Sequence, residues 1–90
     1  MNEHNLRRSN VSEKLTYLIN RLKWLISCAE FEEISASSED IVHWSELIHQ
    51  LNDLEEVCNS VLPQMVVPFS EDQKDLFNKI SEEVSNIVEN

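Results

Sequence analysis

Imidazole and thiol side chains are the groups that could give this 90-residue chain a chemistry of its own. Glu46-Leu47-Ile48-His49 is a literal Glu-x-x-His, the helical spacing with which di-iron bundles hold their metal. Such a centre takes two copies of the motif and two further inward glutamates, and this sequence supplies one copy. Counted at about 100° per residue, Glu46 and His49 fall on the helix face away from Trp44, Ile48 and Leu51. His43 and His49 do not have the one-turn spacing of a helical zinc site, and His4 lies in a polar N-terminal stretch. Cys28 and Cys58 have no metal-type spacing and are expected to be reduced and packed in the core. A Cys–His nucleophile pair would need Cys28 beside His43, but a thiol buried in apolar surroundings has a raised pKa and is inert. The chain contains no glycine, which argues against a loop that cradles phosphate through its backbone. The expectation is a protein that is not an enzyme, with no catalytic residue, no metal and no cofactor.

The charges carry more information than the reactive groups. The formal net charge is −10. Met1 to Lys23 holds five basic and two acidic side chains, whereas Trp24 to Gln73 holds eleven acids and neither lysine nor arginine. An acidic field of that length repels nucleic acid and anionic membrane and favours basic partners. No apolar run approaches the roughly 18 residues that would span a bilayer, and Met1 to Asn10 lacks the apolar core of a signal peptide. A cytoplasmic protein is expected.

Helices must position these groups, because hairpin turns with positive φ depend mostly on glycine, which this chain lacks. Three amphipathic helices can be read from the spacing, within one helical domain over 11–90 preceded by a flexible segment 1–10. The first runs from about Val11 to Glu33, started by Asn10 and Glu13 as a capping box. Its seam is Val11, Leu15, Leu18, Leu22, Leu25 and Ala29, widened by Ile19 and Ile26. The second runs from about Glu39 to Leu62, capped by Ser37 or Ser38, with Glu39 and Asp40 in the first turn where the helix dipole favours acid. Its stripe is Trp44, Leu47, Ile48, Leu51, Leu54, Cys58, Val61 and Leu62, and Pro63 stops it. The third runs from about Glu71 to Val88, with Ser70 and Gln73 as a capping box and Leu76, Phe77, Ile80, Val84, Ile87 and Val88 on one face. Between the last two, Met65, Val66, Val67 and Phe69 form an apolar connector expected to lid one end of the core.

Short connections favour antiparallel neighbours. The fold class expected is all-α, a three-helix antiparallel up-down-up bundle built on a long hairpin and able to dimerise. Folding about Ser35 to Ser38 would set Cys28 beside Trp44 and Cys58 beside Lys14. The sulfurs would then be roughly 20 Å apart, too far for a disulfide. The same register would bring Arg21 to Asp53 and Lys14 to Glu55 or Glu56.

The first helix carries a second apolar row. Tyr17, Trp24 and Phe31 recur every seven residues on the side away from the leucine seam. One reading buries this row under the third helix, since a helix apolar on two sides is sandwiched. The other makes it a face for self-association or a partner, because aromatic side chains bury large area at low entropic cost. The acids of the second helix also admit two readings. Glu39, Glu46, Asp53 and Glu56 can form a solubilising surface, or an acidic docking face that steers a basic partner. The functional expectation is an acidic helical protein–protein interaction module, self-associating as a homodimer, that regulates, sequesters or inhibits a protein partner. The alternative is a nucleic-acid mimic whose carboxylates occupy the cleft of a DNA- or RNA-binding protein. Neither reading has the chain itself binding nucleic acid or membrane.

Overall fold

The computed structural model describes residues 6–31 and 33–89, which fill a volume of 42 × 20 × 19 Å. Three α-helices make up the fold: α1 Arg8–Glu30, α2 Ser38–Cys58 and α3 Glu71–Glu89. The leucine-rich seams meet as the spacing predicts. Val11, Leu15, Leu18, Leu22 and Leu25 of α1 pack with Leu47, Leu51, Leu54 and Cys58 of α2 and with Phe77, Ile80 and Val84 of α3 in one buried cluster. Ala29, Ile26, Ile48, Val61, Leu76 and Ile87 are half-buried at its margin. The expected place of Val88 on this face lies outside the described side chains.

Two helix starts follow the sequence closely. Ser37 Oγ accepts from the Asp40 amide at 3.1 Å while Asp40 Oδ2 accepts from the Ser37 amide at 3.1 Å. Ser70 and Gln73 repeat the exchange at 3.2 and 2.8 Å. Each box satisfies amides that the first turn would leave without partners.

The start of α1 differs. Its N-cap is Arg7, which makes no side-chain cap, and the helix begins at Arg8 with Asn10 inside it. The connector supplies the missing acceptors: the Arg8 amide donates to Met65 O at 2.8 Å and the Ser9 amide to Pro63 O at 3.1 Å. Arg7 and Val66 form an isolated antiparallel bridge, the Val67 amide donates to Leu6 O at 2.7 Å, and Leu6 joins the core. Backbone carbonyls from a distant segment therefore replace the predicted Asn10–Glu13 box. Of the segment 1–10, residues 6–9 take part in these contacts and Asn10 lies within α1; residues 1–5, His4 among them, lie outside the described residues.

Both C-termini come earlier than the periodicity suggests. After α1, the Phe31 amide donates to Ser27 O at 3.0 Å and the Glu33 amide to Cys28 O at 2.8 Å. The second is the six-to-one bond with which helices are commonly closed. Helix α2 ends at Cys58 rather than Leu62. Ser60 Oγ donates to the Val57 carbonyl at 2.6 Å, and the Arg8 guanidinium donates to Val61 O at 2.8 Å. Arg8 thus brings a cation to a helix end whose last turn holds none of its own.

These bonds set the register. Cys58 Sγ lies 3.7 Å from Arg8 O, so Cys58 faces a point almost two turns earlier in α1 than the expected Lys14. The seven-residue connection over 31–37 is longer than the turn assumed from sequence. Among the described residues no ion pair forms between Arg21 and Asp53 or between Lys14 and Glu55 or Glu56. The connector after α2 is split: Val67 and Phe69 are buried, with the Phe69 and Phe77 rings 5.9 Å apart, while Leu62, Met65 and Val66 are exposed.

Candidate interaction surface

Helix α3 lies in the groove between α1 and α2, and the aromatic row of α1 is left in solvent. Tyr17 and Trp24 are each 49 % exposed and Phe31 is 76 % exposed. Of the two readings of this row, burial under α3 does not match that exposure. The apolar side chains Phe77, Ile80 and Val84 of α3 are consumed by the leucine core, and His43 on α2 holds Glu83 on α3 within hydrogen-bond distance, fixing α3 against α2.

Two of the rings carry cations on their faces. Lys14 Nζ stands 5.7 Å from the Tyr17 ring centre, and the Arg21 guanidinium carbon 4.7 Å from that of Trp24. Each cation precedes its ring by three residues, the spacing that puts neighbours on one helix face, and the pairs repeat one heptad apart. A guanidinium over indole is a favourable cation–π geometry. Arg21 Nε is buried there and has no hydrogen-bond partner among the described residues, and no ion pair joins Arg21 to an acid of α2 among them. The sequence contains this signal in Lys14-x-x-Tyr17 and Arg21-x-x-Trp24; it is hidden if both cations are assigned to cross-helix ion pairs.

The third pair of the series is Cys28 and Phe31. Cys28 is buried, and its thiol pKa is raised by burial and, next, by the Glu33 carboxylate beside it. The Glu33 amide on Cys28 O places this exposed residue just past the Phe31 end of the row. Positive charge thus lies along the row at Lys14 and Arg21 on α1, and negative charge at Glu33, just beyond the helix's C-terminal end. Cys58, wholly buried, also has its pKa raised by burial. Both thiols are free.

The acids of α2 form a separate surface. Glu39, Glu46, Asp53 and Glu56 are all exposed, and none pairs with a lysine or arginine among the described residues. Sequence reasoning missed Val42, which is 58 % exposed between Glu39 and Glu46. It lines shallow, open grooves with Ile41, Ser45, Glu46 and His49. Counting at about 100° per residue puts Val42 on the acid row, so its position was legible. Among the described residues no three acids, histidines or cysteines converge as metal ligands, and no helix is long and apolar enough to cross a membrane.

No family model matches this chain, and no curated protein or solved structure is significantly similar to it.

Proposed function

We propose that this protein is an acidic helical interaction module that regulates, sequesters or inhibits a protein partner and self-associates through α1. The observation that carries the reading is the solvent-exposed row of Tyr17, Trp24 and Phe31 on a helix whose opposite side already fills the core. Large aromatic side chains left open in line, two of them capped by cations, have the composition of binding hot spots. A catalytic role is not proposed. Both thiols are buried with raised pKa values, the reverse of what a nucleophile needs.

The reading takes the helices as an up-down-up bundle. Support comes from the contacts at their ends: Arg8 against Val61, His43 against Glu83, and Leu6 against Val67. That arrangement leaves the outer face of α1 and the acidic face of α2 as two distinct surfaces.

The test compares wild type with Trp24→Ala in sedimentation and in affinity capture from native lysate. Trp24→Ala should keep its helical content and lose self-association together with a defined set of captured proteins. A variant that keeps both its mass and every captured protein overturns the reading.

A second reading, mimicry of nucleic acid, is favoured by one observation: the exposed acids of α2 have no Lys or Arg neutralising them among the described residues. It requires binding to a basic partner that weakens steeply with salt and is lost in Glu46→Lys/Asp53→Lys.

A further inference from the structure

We infer that the occupant of the aromatic face is a second copy of this chain, docked α1 against α1, antiparallel, with a two-fold axis at Trp24. The inference rests on the interaction-module reading above and specifies its partner and register. Its first support is spacing. Tyr17 and Phe31 each lie seven residues from Trp24, about 10.5 Å along the helix axis. A row with equal steps on both sides of its central member maps onto itself when a second copy is turned end for end. Trp24 then meets Trp24 of the other copy, and Tyr17 meets Phe31 at both ends. A two-fold interface is self-complementary by construction, and this row has the required symmetry.

The second support is charge. Lys14 Nζ stands over Tyr17, and the exposed Glu33, two residues past Phe31, is tied back by its amide to Cys28 O at 2.8 Å. Pairing Tyr17 with Phe31 of the other copy brings each ammonium to the other copy's carboxylate, and the two-fold axis makes this happen twice. Antiparallel helices also oppose their macrodipoles favourably. A parallel pairing, by contrast, would stack Lys14 on Lys14 and Glu33 on Glu33. The rings themselves are available because their cations cover one face only, leaving about half or more of each side chain open.

Area sets the strength. At 150–250 Å² for a whole aromatic side chain, the open parts of the three rings amount to about 350 Å² per copy. Both copies together stay below the ~1,200 Å² at which specific stable interfaces begin, and flanking polar side chains must supply the rest. The dimer is therefore weak and reversible, and its population depends on protein concentration.

Charge reversal tests the register, read by sedimentation equilibrium over a concentration series. Glu33→Lys makes each copy less negative and so relaxes general repulsion, yet it sets a second ammonium opposite Lys14 of the other copy. It should weaken the dimer at least about fivefold, as should Lys14→Glu. The double variant Lys14→Glu/Glu33→Lys rebuilds both pairs with signs exchanged and should return the dimer to near wild-type strength. Both side chains are exposed, and unchanged helical circular dichroism and unfolding midpoints verify that the variants fold. A Glu33→Lys protein that dimerises as well as or better than wild type, or a double variant weaker than both singles, overturns the register. A wild-type chain that stays monomeric at every concentration overturns the second-copy inference. The self-association part of the module reading falls with it, whereas the partner-binding part stands if Trp24→Ala loses captured proteins, so the two failures are distinguishable.

Discussion

Cys28 shows how one side chain can serve packing and mark a surface at once. It sits where the exposed row of α1 meets the core, buried, with Glu33 beside it. Burial raises both thiols above their ordinary value of 9.0, so the folded chain holds these protons at pH values where the unfolded chain has released them. The sign follows from linkage: their contribution to stability is fully present below about pH 9 and is lost as pH rises through the folded-state values. Wild type should therefore lose more urea resistance between about pH 8 and pH 10 than Cys58→Ala does, a window set by the thiol reference value. The same burial predicts slow reaction of the native protein with a thiol reagent at neutral pH, against fast reaction in urea. Equal labelling rates in the two states would contradict the placement of both sulfurs. At this scale the sequence was informative about residue type and poor about partners. That both cysteines are buried follows from the place of Cys58 in the stripe of α2 and of Cys28 beside the seam of α1. That Arg21 prefers Trp24 to Asp53 depends on a register the stripes do not specify.

Helix ends, more than helix bodies, decided that register. Seams of leucine every three or four residues made the bodies of α1, α2 and α3 legible, and the serine boxes at Ser37 and Ser70 made two starts legible because both members of each box are local. The start of α1 was not, because its acceptors are Pro63 and Met65, more than fifty residues away in sequence. A capping rule that inspects neighbours has no access to such a partner, and Asn10–Glu13 was the best local substitute. The end of α2 was misread for the same reason, since Arg8 takes the Val61 carbonyl from outside the helix. Arg8 is thus the joint between the first turn of α1 and the segment that follows α2. Arg8→Ala should destabilise the fold by about 1–2 kcal/mol, the range for a charged donor removed from a part-buried carbonyl. Chemical denaturation decides the matter: an Arg8→Ala protein as stable as wild type would contradict this joint. The aromatic row was legible in its spacing, but its exposure was not. Whether α3 covered Trp24 depended on which groove α3 chose, and its apolar face fits the leucine seam of both other helices.

The molecule as a whole sets two electrostatic tendencies against each other. Every copy carries a formal charge of −10, and the acids of α2 stand in solvent without basic partners among the described residues. Two copies approaching one another therefore repel at long range, while the charges of Lys14 and Glu33 attract locally. Salt separates these effects, because it screens charges more than a Debye length apart, about 10 Å at 0.1 M and 3 Å at 1 M, before it affects close, partly desolvated pairs. Raising salt from about 0.1 to 1 M, the range between those two screening lengths, should tighten self-association through the rings of α1. It should also raise the urea midpoint of the monomer by relaxing the repulsion within α2. Binding of a basic protein to Glu46 and Asp53 should respond with the opposite sign, since its attraction is what salt removes. The same titration thus assigns each surface its occupant: association that strengthens with salt belongs to the aromatic face, and association that weakens belongs to the acids. Self-association that falls steadily over this range would mean that these charges, rather than the stacked rings, hold the copies together, and the central place given to Trp24 would have to be abandoned.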